Sequence, residues 1–471
     1  MNPPTQSPRV DTTAHSRLPA RHARGAGVGL VAGISVLVVV ALWASNGNVA
    51  ELAQGPGAAL TSLGRLFGLV ASDLLLLQVL AMARIPWVER KLGQDTVARW
   101  HRLLGFTSIT LMGAHALAVA LGYSLMDGIG FWAEVWTLVT TFPGVLLATA
   151  ATALFVMIAA TSVRAARRRM RYESWHLLHL YAYLGAGLAL PHQLWTGADF
   201  LASPAATAYW WTLYGVALAS VLVFRVGRPV LRSRRHRLTV SDVVPEAPGV
   251  VSVLLTGPRL RELPVEAGQF FVLRFRTGPG WTRGHPFSLS AAPQPDALRF
   301  TFSVRGDDGV RLAGVAPGTA VLIEGPFGRL VPAARTRPGI VALAGGMGIT
   351  PLLSVLQDAV RRGDATGPMT LVRRAGTEGP LPLDADVDAL VCDGGLRVVD
   401  LVGRRSVTGT PWLPVQLGHL SGPDALRTIV PDLDACDVYV AGPALWVDAV
   451  VADARAAGVP RSSLHVERFA W

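Results

Sequence analysis

Cysteine is almost absent from this sequence. The chain has 471 residues but only two cysteines, Cys392 and Cys436. These are too few for a disulfide framework or for the four thiolates of an iron–sulfur cluster, and both are interpreted as reduced thiols without a special role. Charged residues are also scarce at 16%, whereas hydrophobic residues make up 51%. This composition excludes an ordinary soluble protein and predicts a membrane domain joined to soluble domains.

Lysine and arginine are missing from three loops, at 45–59, 123–136 and 196–207. The six apolar runs around these loops are predicted to be transmembrane helices, at 25–44, 60–83, 100–122, 137–163, 175–195 and 208–226. The segments that join the helices on the opposite side are rich in arginine. The positive-inside rule therefore predicts a multi-pass plasma-membrane protein with both termini in the cytoplasm. These basic loops also account for the net charge of +11 without nucleic acid as a partner. A signal peptide is the alternative for the first run, which is long for that role.

Four segments differ in texture along the chain. Residues 1–24 predict a disordered basic tail, because they are polar and lack periodicity. Residues 227–333 alternate Val, Thr and Phe between Gly and Pro, as in a small antiparallel barrel, and 334–471 alternate short apolar runs with helical stretches. The predicted fold class is therefore a multi-domain membrane protein. An all-α six-helix transmembrane bundle at 25–226 would precede an antiparallel β-barrel domain and an α/β domain.

Histidines lie inside two of the predicted helices. His101 and His115 are 14 residues apart in the third helix, roughly 21 Å along its axis and within about 40° of one face. His179 and His192 lie in the fifth helix. Intramembrane histidines are functional candidates, and neutral imidazole is the usual axial ligand of haem iron. The helix directions predict that His101 pairs with His179, and His115 with His192, as metal ligands at two depths.

The fifth helix raises two questions. His179 and His192 are 13 residues apart, which places them about 140° apart on a straight helix. Gly185, Gly187 and Pro191 lie between them, and a kink or a π-bulge in this part of the helix is therefore assumed. His176 lies one turn before His179 and competes with it as a ligand.

These histidines resemble those of the ferric reductase and NADPH oxidase superfamily, whose membrane domain has six helices with paired histidines on the third and fifth. The pattern WHLLHLYAYL followed by His192 is also similar to the haem-binding membrane subunit of the bacterial methionine-sulfoxide repair system. The resemblance covers residues 25–471 and implies two b-type haems. Arg65 and Arg102 could pair with haem propionates or could be interfacial residues.

The run His285-Pro286-Phe287-Ser288-Leu289-Ser290 resembles the flavin motif of the ferredoxin-reductase superfamily, and Glu324-Gly325-Pro326-Phe327-Gly328 resembles a second landmark of that family. The resemblance implies that the aromatic ring packs on the isoalloxazine and that the Ser288 hydroxyl acts near the flavin N5. Arg283 or Arg305 would meet the phosphate charge, because histidine opens the motif. The residues implied to bind FAD are Gln269, Arg283, His285, Pro286, Phe287, Ser288, Ser290, Arg305, Gly325 and Gly328.

The run GGMGITP at 345–351 follows an apolar strand and opens a helix, where a diphosphate could approach the backbone. A tight strand–helix turn is the alternative. With Ala441-Gly442-Pro443, the run resembles the nicotinamide half of the same superfamily, in which Cys usually stands at the position of Ala441. Arginines at strand ends (Arg373, Arg374, Arg404 and Arg405) favour NADPH over NADH, or form a solvated basic surface. The predicted ligands are Gly345, Gly346, Gly348, Thr350, Pro351, Arg373, Arg404, Gly442 and Pro443.

The ending HVERFAW at 465–471 resembles that of the family, in which a terminal aromatic covers the flavin. Trp471 is therefore a candidate gate over the flavin, and Phe469 is interpreted as a packed strand residue. Glu467 is a further catalytic candidate in this ending.

The resemblance implies an NAD(P)H-dependent flavohaem oxidoreductase that sends electrons through FAD and two haems to an outer acceptor. Superoxide-producing members usually carry another histidine one turn after the outer ligand, where this chain has Val119. A ferric chelate or another non-oxygen acceptor is therefore favoured over superoxide production. A haem-carrying membrane subunit with a regulatory soluble half is the alternative from another class, and the intact motifs argue against it. Lipid, a nicotinamide donor and the outer acceptor are the predicted partners.

Overall fold

The computed structural model describes residues 20–163, 166, 170, 172–364, 366–406 and 409–469. The chain forms two compact units. The first contains the helices up to Ala217, and the second contains Ala83–Pro86 and the chain from Leu218 onward. The predicted tail lies outside the described residues at 1–19, and from Ala20 the chain is helical. Most of the arginine-rich loop at 164–171 also lies outside them.

The first unit is helical and apolar. Its main helices are α1 (Ala20–Trp43), α2 (Pro56–Met82), α3 (Gln94–Asp127), α4 (Phe131–Thr141), α5 (Val145–Ser162), α6 (Tyr172–Trp195) and α7 (Pro204–Ser220). Large apolar side chains point away from the unit, as at Phe106 and Trp132, which are 75% and 79% exposed. Helices that are apolar on their outward faces are expected in a protein surrounded by lipid.

Five stretches among the described residues are long and apolar enough to cross a membrane. They are Gly27–Glu51, Pro56–Met82, Thr96–Asp127, Val145–Ser162 and Pro204–His236. The prediction of membrane helices is thus confirmed for five of the six runs. The sixth run forms α6, which has 24 residues, but three histidines and other polar side chains lower its mean hydropathy.

The first half of the second unit is made of antiparallel strands. Its elements are α8 (Arg228–His236), β1 (Thr239–Ala247), β2 (Val250–Thr256), β3 (Phe270–Phe275), β4 (His285–Ser288), β5 (Leu298–Ser303), α9 (Gly306–Ala313) and β6 (Val321–Phe327). They form two three-stranded sheets, β1–β2–β5 and β4–β3–β6. The predicted barrel is not closed in the described residues, because only single bridges such as Thr239–Ala320 and Leu289–Phe300 extend the pairing beyond these sheets.

The second half is an α/β domain, as predicted. Its main elements are β7 (Gly339–Gly345), α10 (Ile349–Arg362), β8 (Met369–Ala375), α11 (Asp384–Gly394), β9 (Leu396–Val402), α12 (Gly422–Ile429), β10 (Cys436–Pro443), α13 (Ala444–Ala456) and β11 (Leu464–Phe469). The strands form a parallel sheet in the order β11–β10–β7–β8–β9. All of β7 is buried, as expected for a strand covered on both faces. The strand order reverses between β7 and β10, which is where open α/β sheets bind ligands.

Candidate functional site

Two pairs of histidines join α3 to α6 in the first unit. The ring centroids of His101 and His179, called the first pair, are 5.8 Å apart. Those of His115 and His192, called the second pair, are 6.2 Å apart. The structure therefore brings together the residues that the sequence analysis paired. The two pairs lie at different depths, because their members in α3 are separated by 14 residues, roughly 21 Å.

The spacing within each pair fits a metal held between two imidazoles. With metal–nitrogen bonds of about 2.0 Å on opposite sides of one ion, the ring centroids would be roughly 6 Å apart. No group of three or more His, Cys, Asp or Glu side chains that could hold a metal is present in the part of the chain that the structure describes. Each pair would offer two imidazole nitrogens to a metal, a number that fits a haem, in which the porphyrin provides the other donors.

Neighbouring groups orient the histidine rings. His115 Nδ1 lies 2.8 Å from the carbonyl oxygen of Gly64 in α2, a hydrogen bond that directs the other ring nitrogen away from α2. Gly68 makes room for this ring, since a Cβ at that position would be 2.7 Å from Nδ1. In the first pair, the ring of Trp175 stacks on His179 with centroids 5.1 Å apart.

Helix α6 is α-helical from Tyr172 to Trp195. The π-bulge considered from the sequence is therefore absent from these residues. Pro191 lies inside the helix, directly before His192, and removes one backbone donor from its last turns. His176 also lies in α6, but the ring beside His101 is that of His179.

The predicted flavin motif begins in β4. Phe287 pairs with Phe271 of β3, and its ring stacks on Phe302 with centroids 4.7 Å apart and planes 17° apart. The imidazole ring of His285 stacks on the ring of Phe287, with centroids 6.0 Å apart. Ser288 ends the strand opposite Phe270. A half-buried stack of rings therefore carries the motif, and a flat apolar ligand can extend such a stack.

The second landmark lies beside this stack. Gly325 and Gly328 have φ values of 126° and 102°, which favour glycine. The ring of Phe327 lies 5.6 Å from that of Phe270, and the guanidinium of Arg84 lies 4.4 Å from the Phe327 centroid. Arg84 was not predicted as a site residue, because its place beside Phe327 depends on a tertiary contact.

Several predicted flavin ligands have structural partners instead. Arg283 is paired with Asp308 at 3.0 Å, and Ser290 is fully buried and accepts a hydrogen bond from Thr301. The side-chain oxygen of Gln269 accepts the Glu266 N–H. Burial alone would raise the pKa of Asp308, but hydrogen bonds from Arg283 and Arg311 lower it below its usual value. Arg305 is exposed and Pro286 lies beside Val272.

The glycine-rich run forms the predicted strand–turn–helix. Gly346 begins a short 3₁₀ turn with φ of +53°, and a Cβ there would meet no atom within 4 Å. Gly348 packs against β10, since its Cβ would be 1.9 Å from the Ala441 carbonyl oxygen. Gly442 also lies close to Gly345, because a Cβ at Gly442 would be 2.8 Å from the carbonyl oxygen of Gly345. The ends of β7 and β10 therefore meet where the strand order reverses, and open space remains beside Gly346.

Other predicted residues of this run face inward. Thr350 and Pro351 are buried at the start of α10, and the Thr350 hydroxyl donates to the Met347 carbonyl at 2.9 Å. Pro443, which belongs to the second predicted run, is instead exposed at the end of β10, opposite Phe469 of β11. These residues shape the turn around the open space.

The strand-end arginines fall into two groups. Arg373 is enclosed by carboxylates, with Asp384 at 2.5 Å and Asp400 at 2.7 Å. Burial lowers the pKa of Arg373, but these two carboxylates raise it above its usual value. Arg374 donates to the carbonyl oxygens of Leu401 and Gly403.

The guanidinium of Arg374 lies near that of Arg405. Burial and then the guanidinium of Arg405 lower the pKa of Arg374. Arg404 and Arg405 are exposed after β9. Positive charge is therefore compensated at Arg373 and concentrated at Arg374 and Arg405.

The C-terminal candidates lie on or beyond the edge strand. Glu467 of β11 stands opposite Ala441 of β10 in parallel register, close to the turn that contains Gly348. Trp471 lies outside the described residues.

The first unit also contains a buried polar cluster that was not predicted from the sequence. Asp73 of α2 is completely buried and bonded to Ser35 and Tyr209. An ionisable residue within a run such as LVASDLLLL is a signal that could have identified it.

The chain resembles known proteins in both units. The family model for the ferric reductase like transmembrane component matches residues 67–190. This range includes His101, His115 and His179, and it ends two residues before His192. The heme-binding subunit MsrQ of the protein-methionine-sulfoxide reductase of Xanthomonas euvesicatoria is 30% identical over 156 residues, which are 33% of this chain and 66% of that protein.

Reductases that use nicotinamides are similar to half of the chain. The ferredoxin–NAD(+) reductase component of the alkene monooxygenase system of Xanthobacter autotrophicus is 35% identical over 240 residues, 50% of this chain and 70% of that protein. A crystal structure of a ferredoxin NADP+ reductase from Neisseria gonorrhoeae with bound FAD and NADP has a TM-score of 0.40 at 19% identity, and the match covers 49% of this chain and 97% of that one. A membrane component of ferric reductase type and a ferredoxin reductase-type module are thus joined in one chain, which belongs to the ferric reductase and NADPH oxidase superfamily.

Proposed function

We propose that this protein moves electrons from cytoplasmic NAD(P)H, through FAD and two b-type haems, to an acceptor on the outer side of the membrane. The acceptor is a ferric chelate or another non-oxygen acceptor. When bound, the flavin takes a hydride as two electrons and the haems carry single electrons. The observation that carries this proposal is the pair of histidine pairs, 5.8 and 6.2 Å between centroids, at two depths of an apolar helical unit.

The chain's own residues have separate roles in this function. The first pair, His101 and His179, and the second pair, His115 and His192, would each hold one haem iron. The turn at Gly346 would receive the diphosphate of the nicotinamide, because a helix N-terminus with open space above it favours an anion. The Ser288 hydroxyl, at the end of β4, would donate to the flavin N5.

The orientation follows from charge. Arg84, Arg90 and Lys91 lie between α2 and α3, whereas the loop at 123–136 has no lysine or arginine. The positive-inside rule therefore places the first pair on the cytoplasmic side, with the second pair nearer the outer surface.

The acceptor is proposed from Val119. This residue lies one turn after His115, and its side chain packs toward α2, where a Cβ on Gly64 would be 2.7 Å from it. Superoxide production is the second candidate. Val119 offers an oxygen molecule no hydrogen-bond donor, so the non-oxygen acceptor is preferred.

A difference spectrum tests the proposal. Membranes containing the protein are reduced anaerobically with NADPH or NADH and then mixed with a ferric chelate, a quinone or oxygen. We expect b-type haem bands to appear on reduction and to be lost fastest with the ferric chelate. A protein without haem bands, or one whose flavin is not bleached by either nicotinamide, would contradict it.

Gly68→Ala is predicted to displace His115. The added Cβ would lie 2.7 Å from Nδ1, so the ring must leave its position opposite His192. We expect loss of about one haem per chain while the other is retained, measured by pyridine haemochromogen assay. Gly33→Ala is the control, since Gly33 of α1 has no atom within 4 Å of the added Cβ. Equal haem contents in both variants would show that Gly68 does not position the ligand.

Arg405→Ala is predicted to impair NADPH more than NADH. The uncompensated charge of Arg374 and Arg405 fits a 2′-phosphate, whereas Arg373 is already neutralised by Asp384 and Asp400. Hydrogen bonds between charged groups contribute roughly 1.5–3 kcal/mol, so KM for NADPH should rise at least about tenfold, with little change for NADH. Steady-state flavin reduction with both donors measures the effect.

Arg373→Ala is the matched comparison for the nicotinamide preference. This change leaves two carboxylates without their cation, so it should lower thermal stability. Its effect on the ratio of the two KM values should be smaller than that of Arg405→Ala. The reverse order would return the 2′-phosphate to Arg373.

A further inference from the structure

Asp73 is a buried carboxyl group in the middle of α2. Its exposed fraction is 0%. Asp73 Oδ1 accepts hydrogen bonds from the Tyr209 hydroxyl of α7 at 2.6 Å and from the Ser35 hydroxyl of α1 at 2.7 Å. The two hydroxyl oxygens also lie 2.8 Å from each other. Three helices thus converge on one carboxyl oxygen.

Neither partner of Asp73 carries a positive charge. Its second oxygen, Oδ2, is buried and has no hydrogen-bond partner among the described residues. An ionised carboxylate here would be an uncompensated charge within a membrane, which is energetically costly. A proton on Oδ2 removes this charge. In the oxidised state, the positive charge of a ferric haem held by the histidine pairs would offset the carboxylate instead.

Asp73 lies midway between the two histidine pairs along α2. Ser108 of α3 lies seven residues from each of the two ligand histidines of that helix. Its hydroxyl donates to the carbonyl oxygen of Ala71, two residues before Asp73 in α2, at 2.8 Å. Seven residues correspond to roughly 10.5 Å along a helix. A charge on Asp73 is therefore at a similar axial distance from both pairs, where the low dielectric makes electrostatic interactions strong.

We propose that Asp73 is a redox-linked proton site. Asp73 Oδ2 takes up one proton from water when an electron enters the first unit, and the proton returns to water when the electron leaves. One O–H bond forms or breaks for each electron, so charge is balanced. This inference rests on the proposed function, which supplies the electron. Ser35 and Tyr209 hold the carboxyl group in place in both states.

Few other titratable groups lie on the helices around Asp73. Tyr209 contacts it directly, and His115 of α3 lies at the level of Gly68 with its Nδ1 bonded to a backbone carbonyl. Arg65 lies about two turns before Asp73 in α2 and is paired with Glu51 at 3.0 Å. A change in potential that depends on Asp73 can therefore be separated from these groups by mutation.

Redox titration of the full-length protein at several pH values tests the proposal. The haem absorption bands are followed at equilibrium, without turnover. In the wild type, the midpoint potential should fall as pH rises, by up to about 59 mV per pH unit, the value for one proton per electron. Asp73→Asn retains an oxygen that accepts both hydroxyl hydrogen bonds but cannot take up the proton. We expect it to lose most of this slope.

Redox-difference infrared spectroscopy gives a second readout. The C=O stretch of a protonated carboxyl group should appear on reduction of the wild type and be absent from Asp73→Asn. Asp199→Asn is the control, because Asp199 is also buried but accepts hydrogen bonds from Asn46 and Asn48 near the helix ends. This variant should keep the wild-type slope.

Each outcome decides the matter. An unchanged slope in Asp73→Asn, or a wild-type potential that is independent of pH, overturns the proposal, even if Asp73→Asn lowers the melting temperature. A protein that contains no haem overturns the proposed function instead. If Asp73→Asn does not assemble, Tyr209→Phe removes one donor from the carboxylate and should move the pH-dependent range upward. An unmoved range in that variant also overturns the proposal.

Discussion

Replacing His192 by alanine is expected to reduce the haem content from about two to about one per chain. Only His115 would remain in the second pair, whose centroids are 6.2 Å apart, and one imidazole would hold a haem iron less firmly than two. The first pair is built from other turns of the same helices, so its haem should remain. Pyridine haemochromogen assay and redox titration count the haems that are left.

The flavin of this variant should still be reduced by NAD(P)H, because the flavin and nicotinamide motifs belong to the second unit. Electron delivery to the outer acceptor should be lost. His176→Ala is the matched control. It removes a histidine from the same helix, one turn before His179, but the ring beside His101 is that of His179, so both haems should remain. Loss of a haem from His176→Ala, or none from His192→Ala, would refute the ligand assignment.

The histidine pairing could be predicted because it depends on sequence separation. Spacings of 14 and 13 residues place two side chains at matching depths on two helices, whatever the details of packing. The course of α6 could not be predicted in the same way. A straight helix places His179 and His192 about 140° apart, and the effect of Pro191 on the last turns depends on contacts that the sequence does not contain. One such contact is made by Gly144, where a Cβ would lie 2.7 Å from the backbone nitrogen of His192.

The arginines show a different limit of sequence reasoning. Arg373 and Arg283 stand where phosphate ligands were expected, yet both form ion pairs in the structure. Their partners, Asp384 and Asp308, belong to helices whose positions are set by tertiary packing. The sequence therefore predicts which strand ends carry positive charge but not which charges are compensated within the fold. Asp73 was not predicted as a functional residue, because it lies within an apolar run that was interpreted as a membrane helix.

Gly346→Val is expected to slow flavin reduction by NAD(P)H at least about tenfold while leaving the FAD content unchanged. A branched side chain would fill the open space above the turn, where no atom now lies within 4 Å of a Cβ. Backbone N–H groups at the start of α10 could then no longer approach a diphosphate. Anaerobic stopped-flow bleaching measures the rate, and the absorbance of released flavin measures the content.

Backbone strain must be separated from this steric effect, because Gly346 has φ of +53° and valine is disfavoured there. Gly363→Val provides that control. Gly363 ends the same helix α10 with φ of +65°, and its Cβ would also meet no atom within 4 Å. Both variants should lose comparable thermal stability, roughly 1–2 kcal/mol for a left-handed residue. Only Gly346→Val should slow reduction. If Gly363→Val slows it equally, strain is the cause, and the glycine-rich turn loses its assignment as the diphosphate site.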